Sequence, residues 1–431
     1  MDLEEDKISE LPDALLHHIL SFLPTKSAVR TSILSKRWKY LWTSIPVLDF
    51  RKWRSGSSYV RKDERRLLET KKFSNFVDRM LSLPDIAINI HKFYLNCDKR
   101  DFFDASQVTT WISTVVTRKV EELILFIDFQ HSSLLPPCFF TCESLTMLEL
   151  DMYVMLDLPN SISFPRLKIL RLKLIAFMDD NLTQQFFSSC PMLEELVMTW
   201  CTWIDMNVVS ISAPALKYLL INNPNGHRFD SISKCVLKIY APNLLSLNYN
   251  DRVAKDYVLH SFSSLVDAEI NFKLESPVEE PEEIGYGTSK LFGGLSNVKL
   301  LKMSGETFKA LSFADNLLTN QPTFCNLIHL EVTSKFPCTI DRTLLDFLRF
   351  SPNLESLVFA QGFDQCLSNN DDSWKLNLVP QCLLLHLKQV EIREFCGHPG
   401  ELNMVKLLLK NARVLKSDVY DMYNKFAQIV F

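Results

Sequence analysis

From residue 90 onward one short phrase keeps returning: an apolar residue, two others, an apolar, one other, an apolar. It reads Ile90/Phe93/Leu95, Val120/Leu123/Leu125, Leu145/Leu148/Leu150, Leu167/Leu170/Leu172, Leu193/Leu196/Met198 and Leu216/Leu219/Ile221. It continues as Leu244/Leu247/Tyr249, Leu265/Ala268/Ile270, Val298/Leu301/Met303, Leu327/Leu330/Val332, Leu354/Leu357/Phe359 and Leu387/Val390/Ile392. Successive starts lie 21 to 33 residues apart. The two closing apolar residues stand at i and i+2, on one face of a short strand. A unit this small cannot bury that face alone, so neighbouring copies must stack. The residues between and beside them then point outward. They include Glu149 and Asp151, Arg171 and Lys173, Asn248 and Asn250, Glu269 and Asn271, Glu331 and Thr333, and Glu391 and Arg393. Aligned by stacking, these would form a mixed polar surface able to hold a partner, or would simply keep the sheet soluble.

The phrase resembles a degenerate leucine-rich repeat. Its irregular spacing, with no asparagine ladder, is similar to the irregular plant type. The resemblance implies a curved parallel sheet with helices and loops outside. Segments between strands supply candidate helices: Asn181 to Ser189, Asp341 to Leu348, and Glu401 to Asn411. Shorter intervals are expected to hold loops or single helical turns. The acidic, Pro- and Gly-containing stretch Glu275 to Lys290 reads as a flexible surface loop. Trp200 and Trp203 flank Cys201 after one repeat strand, as partner anchors or as packing between repeats.

Ahead of the repeats stands a compact block rich in leucine. Leu15, Leu16, Ile19, Leu20 and Leu23 recur at helical spacing, with Pro12 and Asp13 suited to a helix start and Pro24 to its end. Thr25 is a candidate N-cap for a second helix, and Ser35 for a third carrying Trp38, Leu41 and Trp42. Units of this size rarely bury all their apolar side chains. Leu11-Pro12, Ile19-Leu20, Leu23-Pro24 and Leu34-Ser35-Lys36-Arg37-Trp38, in that order, resemble the F-box over residues 7–48. That resemblance implies docking onto the Skp-type linker of a cullin-based ubiquitin ligase. Leu11, Pro12, Leu15, Leu16, Ile19, Leu20, Leu23, Val29, Leu34 and Trp38 are the candidate linker-binding residues. Some of them must instead pack the module, and spacing alone does not divide the roles.

Residues 374–415, with Trp374, Val379-Pro380-Gln381-Cys382-Leu383 and Asn411-Ala412-Arg413-Val414-Leu415, are similar to the FBD region of plant F-box proteins. The chain therefore reads as an α/β protein: a three-helix F-box (7–48), a helical linker and cap (49–89), a repeat solenoid (90–373), FBD-like terminal repeats (374–415) and a tail (416–431). In the cap, Phe73, Phe76, Val77, Met80 and Leu81 form one helical face. Lys416 to Asp421 breaks the hydrophobic pattern, leaving the tail's structure open.

Composition narrows the chemistry. Only 10 glycines occur in 431 residues, which disfavours nucleotide-binding folds that need glycine beside phosphate. Residues 26–72 carry 14 Lys or Arg against 4 acids, but Arg61 to Arg66 is interrupted by acids and reads as a solvated face. Nucleic-acid binding is not expected. The start, Met-Asp-Leu-Glu-Glu-Asp, is unlike a signal peptide, and no run approaches the roughly 18 apolar residues of a membrane span. An intracellular, soluble protein of nucleus or cytoplasm is expected, its 11 cysteines serving as buried hydrophobes.

No catalytic set, metal site or cofactor is expected. Cys138 and Cys142 lack partners at zinc spacing; Cys396-Gly397-His398 reads as a turn; Asp179-Asp180 reads as a helix cap. The expected role is a non-catalytic substrate adaptor, the repeats holding a target for ubiquitination. The alternatives are a repeat scaffold without a ligase role and a hydrolase with its groups scattered across loops.

Overall fold

A computed structural model describes residues 8, 10–51, 63–83, 90–98, 102–128, 134–224, 232–260, 262–274, 280–314, 323–337, 341–364, 379–397, 399–415 and 427–430. The chain divides into two compact units, Met1–Leu193 and Glu194–Phe431. The expected α/β order holds: helices first, then repeat strands.

The first unit begins with helices α1 (Asp13–Ser21) and α2 (Thr25–Arg30). A turn over 36–40 and a 3-10 segment at Leu41–Ser44 follow, in place of the third helix expected from Ser35. Strand β1 (Val47–Phe50) comes next, then the long helix α3 (Asp63–Ser82). Strands β2 (Lys92–Cys97), β3 (Glu122–Ile127), β4 (Met147–Met155) and β5 (Ile169–Phe177) continue a parallel sheet in the order β1-β2-β3-β4-β5. Helix α4 (Ala105–Thr117) links β2 to β3, and α5 (Asp180–Ser188) follows β5. The Asp179 carboxylate accepts the Leu182 N–H at 2.8 Å, capping α5 as the sequence suggested. Phe73, Val77, Met80 and Leu81 of α3 are buried, and Trp111 of α4 stacks edge-on to Phe73.

The second unit holds strands β6 (Glu195–Thr199), β7 (Thr202–Trp203), β8 (Val208–Ser212), β9 (Tyr218–Asn222), β10 (Val236–Tyr240), β11 (Ser246–Asn250), β12 (Asp256–His260) and β13 (Asp267–Ile270). Helix α6 (Pro281–Gly294), β14 (Leu300–Met303), α7 (Gly305–Ser312), β15 (His329–Val332), α8 (Asp341–Arg349) and β16 (Ser356–Phe359) follow. Helix α9 (Gln381–Leu385), β17 (Gln389–Phe395), α10 (Pro399–Asn411) and β18 (Ala427–Val430) end the chain. Its main sheet runs β6-β9-β11-β13-β14-β15-β16-β17 in parallel, closed by β18 antiparallel to β17. The tail thus contributes a strand. A second, three-stranded parallel sheet, β12-β10-β8, fills intervals expected to be loops. Alternation explains it: Leu237 and Ile239 are buried while Lys238 and Tyr240 are exposed. The buried ring of Tyr257 in this sheet meets the buried ring of Tyr249 in the main one at 6.1 Å.

The repeat phrase sets the register. Phe93, Leu123, Leu148 and Leu170 align across one inward row, and Leu95, Leu125, Leu150 and Leu172 across the next. All are essentially water-free. Fully burying such a side chain is worth about 1.5–3 kcal/mol. In place of an asparagine ladder, the carbonyl just before most strands of the main sheet receives two N–H donors from the next repeat. The His91 oxygen accepts from Glu121 and Glu122 (3.0 and 2.8 Å), and the Glu121 oxygen from Thr146 and Met147 (2.8 and 3.1 Å). In the second unit the Val266 oxygen accepts from Lys299 and Leu300 (2.7 and 3.2 Å).

The acidic stretch taken for a loop is helix α6 from Pro281 onward; residues 275–279 lie outside the described residues. Its glycines serve close packing, not flexibility. A Cβ on Gly285 would collide with the carbonyl of Phe313, the residue just after α7, and one on Gly287 with the Ala254 carbonyl. Residues 52–62 and 84–89 of the linker and cap expected over 49–89, and Trp374 of the FBD-like region, also lie outside the described residues, as does His398.

Candidate functional site

The front module builds its own small core and leaves a ridge outside it. Pro12 precedes α1 in extended conformation, and its carbonyl accepts the Leu16 N–H. Leu16 and Leu20, one helical turn apart, pack inward with Ala28, Trp38, Leu41 and Ile45; Leu11, Trp42 and Val47 lie against them. Arg37 ties the module's end to its beginning. Its guanidinium donates to the Asp13 carboxylate at 2.7 Å and to the Leu11 carbonyl. Thr25 is the first residue of α2, not its cap. Its buried hydroxyl accepts the Asp49 N–H at 2.7 Å, fastening the module to the edge of β1.

The ten candidate docking residues therefore divide. Leu16, Leu20 and Trp38 are buried in the module's core. Leu11 and Val29 are half-buried, and Pro12 and Leu23 are exposed. Leu15 remains 49% exposed, Ile19 43% and Leu34 65%. Sequence reasoning missed Phe22, 75% exposed, and Ile33, 85% exposed. The signal for Phe22 was its i+3 spacing from Ile19, which puts both on one helix face. Its ring meets His18 edge-on at 4.9 Å. Each unit of exposed apolar surface here is a gain waiting for a partner that excludes water.

The twelve outward strand residues are held differently. In the first unit, Arg171 sits 3.7 Å from Glu149 and Lys173 2.8 Å from Asp151, each across one strand boundary. Arg51 is bidentate on Asp49 and lies over the Tyr94 ring at 4.1 Å; its hydrogen bond to Asp49 holds its pKa above the ordinary value. In the second unit, Glu269 accepts from Asn248 (3.0 Å) and Asn271 (2.7 Å), and Asn250 donates to Asn222 (2.9 Å). Thr333 donates to Asn271 at 3.0 Å, Glu331 pairs with Lys302 at 2.8 Å, and Arg393 with Glu391 at 2.8 Å. His329 lies on the same face with its Nδ1 3.0 Å from the Ser356 hydroxyl, and burial lowers its pKa. The face is thus a lateral mesh of hydrogen bonds and ion pairs.

No catalytic constellation emerges among the described residues. Cys396 turns its thiol to the Glu394 carbonyl, and its N–H donates to Glu401. Cys138 meets Ser113, and Cys142 meets Ser144. No group of three or more metal-ligating side chains occurs among the described residues. Of the tryptophan pair, Trp203 is buried and Trp200 half-buried with a left-handed backbone (φ 57°). A cavity of about 500 Å³ in the first unit is lined by residues including Lys119, Cys138, Glu143 and Arg166, and a smaller apolar one of about 130 Å³ by Leu135, Phe140 and Met155 among others. None of the twelve outward residues lines either. No described helix is long and apolar enough to cross a membrane.

Comparison with known proteins agrees with this anatomy. The F-box domain family matches residues 8–50, and the family described as At1g61320/AtMIF1, LRR domain, matches residues 85–429. The F-box/LRR-repeat protein At4g14103 of Arabidopsis thaliana is 34% identical over 371 residues, covering 83% of this chain and 93% of the relative. The putative F-box/FBD/LRR-repeat protein At3g59240 is 32% identical over 428 residues, covering 94% and 81%. The FBD-associated F-box protein At4g10400, from the same plant, is 30% identical over 417 residues, covering 96% and 91%. With a helical module at 8–50, stacked parallel repeats behind it and these relatives along most of its length, the chain belongs to the F-box/LRR-repeat family.

Proposed function

We propose that this chain is the target-selecting, non-catalytic subunit of a cullin-based ubiquitin ligase. Its front module would dock on a Skp-type linker through Leu15, Ile19, Phe22, Leu23, Ile33 and Leu34, and its strands would hold the target. One observation carries the reading: the module has a complete core of its own, yet keeps a row of large apolar side chains in water. Such a surface is worth keeping only where a partner covers it. Leu16, Leu20 and Trp38 would act indirectly, by holding α1 in place.

Rate enhancement would come from proximity, since tethering a target beside a ubiquitin-charged enzyme raises its effective concentration. The target surface would draw on the outward residues from Glu149 to Arg393 named above, and work would take place in nucleus or cytoplasm. The test is binding of the full chain to a purified Skp-type linker. Leu15→Asp with Ile19→Asp should abolish binding while the melting temperature stays within a few degrees. Undiminished binding by that double variant would remove the docking assignment, leaving a repeat scaffold without a ligase role as the better reading.

A further inference from the structure

In the second unit, β11 ends in a buried acid. Asp251 is 1% exposed. Its Oδ1 accepts the Arg252 N–H at 2.7 Å, and Oδ2 is buried, with the Asn223 side-chain amide as its neighbour. The 251–255 turn around it is pinned at both ends by phenols. Tyr249 donates to the Arg252 carbonyl at 2.6 Å, and the Ala254 N–H donates to the Tyr257 hydroxyl at 2.9 Å. Helix α6 covers the turn from above, bringing Gly287 against the Ala254 carbonyl. Just past the end of β9, the Asn223 N–H donates to the Asn250 carbonyl at 2.7 Å, and three residues past the end of β13 the Lys273 N–H donates to the Asp251 carbonyl at 3.0 Å. A carboxyl in such a place is tolerated neutral and costly charged, because burial removes it from solvent and the Arg252 N–H and the Asn223 amide compensate only part of that loss.

We propose that Asp251 is a proton-linked latch on the 251–255 turn: neutral, it leaves the turn seated beneath α6, and ionised, it drives the β11–β12 junction toward an open state. The groups facing it allow this. Tyr249 and Tyr257 are held neutral by burial, each well above the usual phenol range, and Cys235 lies beside Tyr249. Arg252 is the nearby cation. Helix α6 presents Gly287 and Thr288 inward and keeps Glu282, Glu283 and Lys290 exposed. Burial raises the Asp251 carboxyl to about 7, the Arg252 N–H, the Arg252 charge and the Asn223 amide offsetting only part. Asn248 and Asn250 sit on the strand that ends at this latch, so opening reaches the outward face.

The sign follows from linkage. The folded state keeps the proton up to about pH 7, whereas the unfolded chain loses it near pH 4. Stability from this group is fully present below pH 4, falls as pH rises, and levels off above 7. The experiment compares the full chain with Asp251→Asn in denaturant unfolding between pH 5 and 8. The ratio of the two unfolding constants should change about tenfold per pH unit up to 7, then flatten. Parallel profiles overturn the proposal. Carboxyl-carbon NMR on aspartate-labelled protein reads the same group directly and needs no variant: a midpoint near 7 supports it, and one below 5 overturns it. Amide exchange across 249–257, taken as the ratio to Asp251→Asn at each pH, should rise with pH; a constant ratio removes the latch even where the titration stands.

Discussion

The ridge on α1 and the outward face of the strands are both surface, and both were candidates for binding, yet they are built on opposite terms. On α1 and at its end, Leu15, Ile19 and Phe22 face water with nothing satisfied by doing so. On the strands, the polar side chains named as contacts are engaged by other side chains, most of them one repeat away, as Lys173 is by Asp151 and Asn248 by Glu269. A partner landing on the ridge gains burial without breaking anything. A partner landing on the strands must exchange existing bonds for new ones, which favours discrimination over raw affinity. The first surface suits a constant partner, and the second a selective one.

Substitutions can break or sharpen that contrast. The largest effect is expected where the ridge is confused with the core beneath it. Leu20→Asp places a charge among Leu16, Trp38 and Ile45, and should unfold the module at a cost above the roughly 2–5 kcal/mol of a buried leucine truncation. Loss of protease resistance in residues 10–50 checks it. Next comes the ridge itself. Ile19→Asp with Leu15→Asp should weaken linker binding by at least about a hundredfold, about 2.7 kcal/mol, read by calorimetry on a variant whose melting curve is unchanged.

A smaller effect tests the packing behind the strands. Gly285→Ala drives a methyl into the Phe313 carbonyl and should cost about 1–3 kcal/mol in urea unfolding. Smallest is the mesh. Lys173→Ala removes an exposed ion pair and should change stability by less than about 1 kcal/mol, since solvent screens such pairs. A larger loss there would mean that the mesh is structural, and the contrast with the ridge would collapse.

Much of this was legible because it rests on local pattern. The repeat phrase fixed which strand residues face inward, since period-two alternation has one geometric solution. The Leu-Ser-Lys-Arg-Trp run announced the module. What stayed hidden depended on distance in three dimensions. Nothing local separates Leu15 from Leu16 as surface and core until Trp38 and Ile45 arrive between the helices. The glycines of α6 read as flexibility because their neighbours, Phe313 and Ala254, are about 30 residues away in either direction. Strands β8, β10 and β12 do not stand out in the sequence although Leu237-Lys238-Ile239 alternates, because intervals this short read as loops or single turns. The pairing of Glu149 with Arg171 was invisible for the same reason: it exists only once two repeats are stacked.

The doubled N–H contacts onto a single carbonyl ahead of most main-sheet strands have a further consequence. They fasten most coils of the main sheet at the entrance, a place that the length of the far side of the coil does not alter. A stretch of 21 residues or of 33 can be spliced between two fastenings, as helix, strand or bare loop, and the next coil still lands in step. Lineages of such proteins can therefore lengthen, shorten or exchange their outer segments freely while the ordered rows beneath stay fixed.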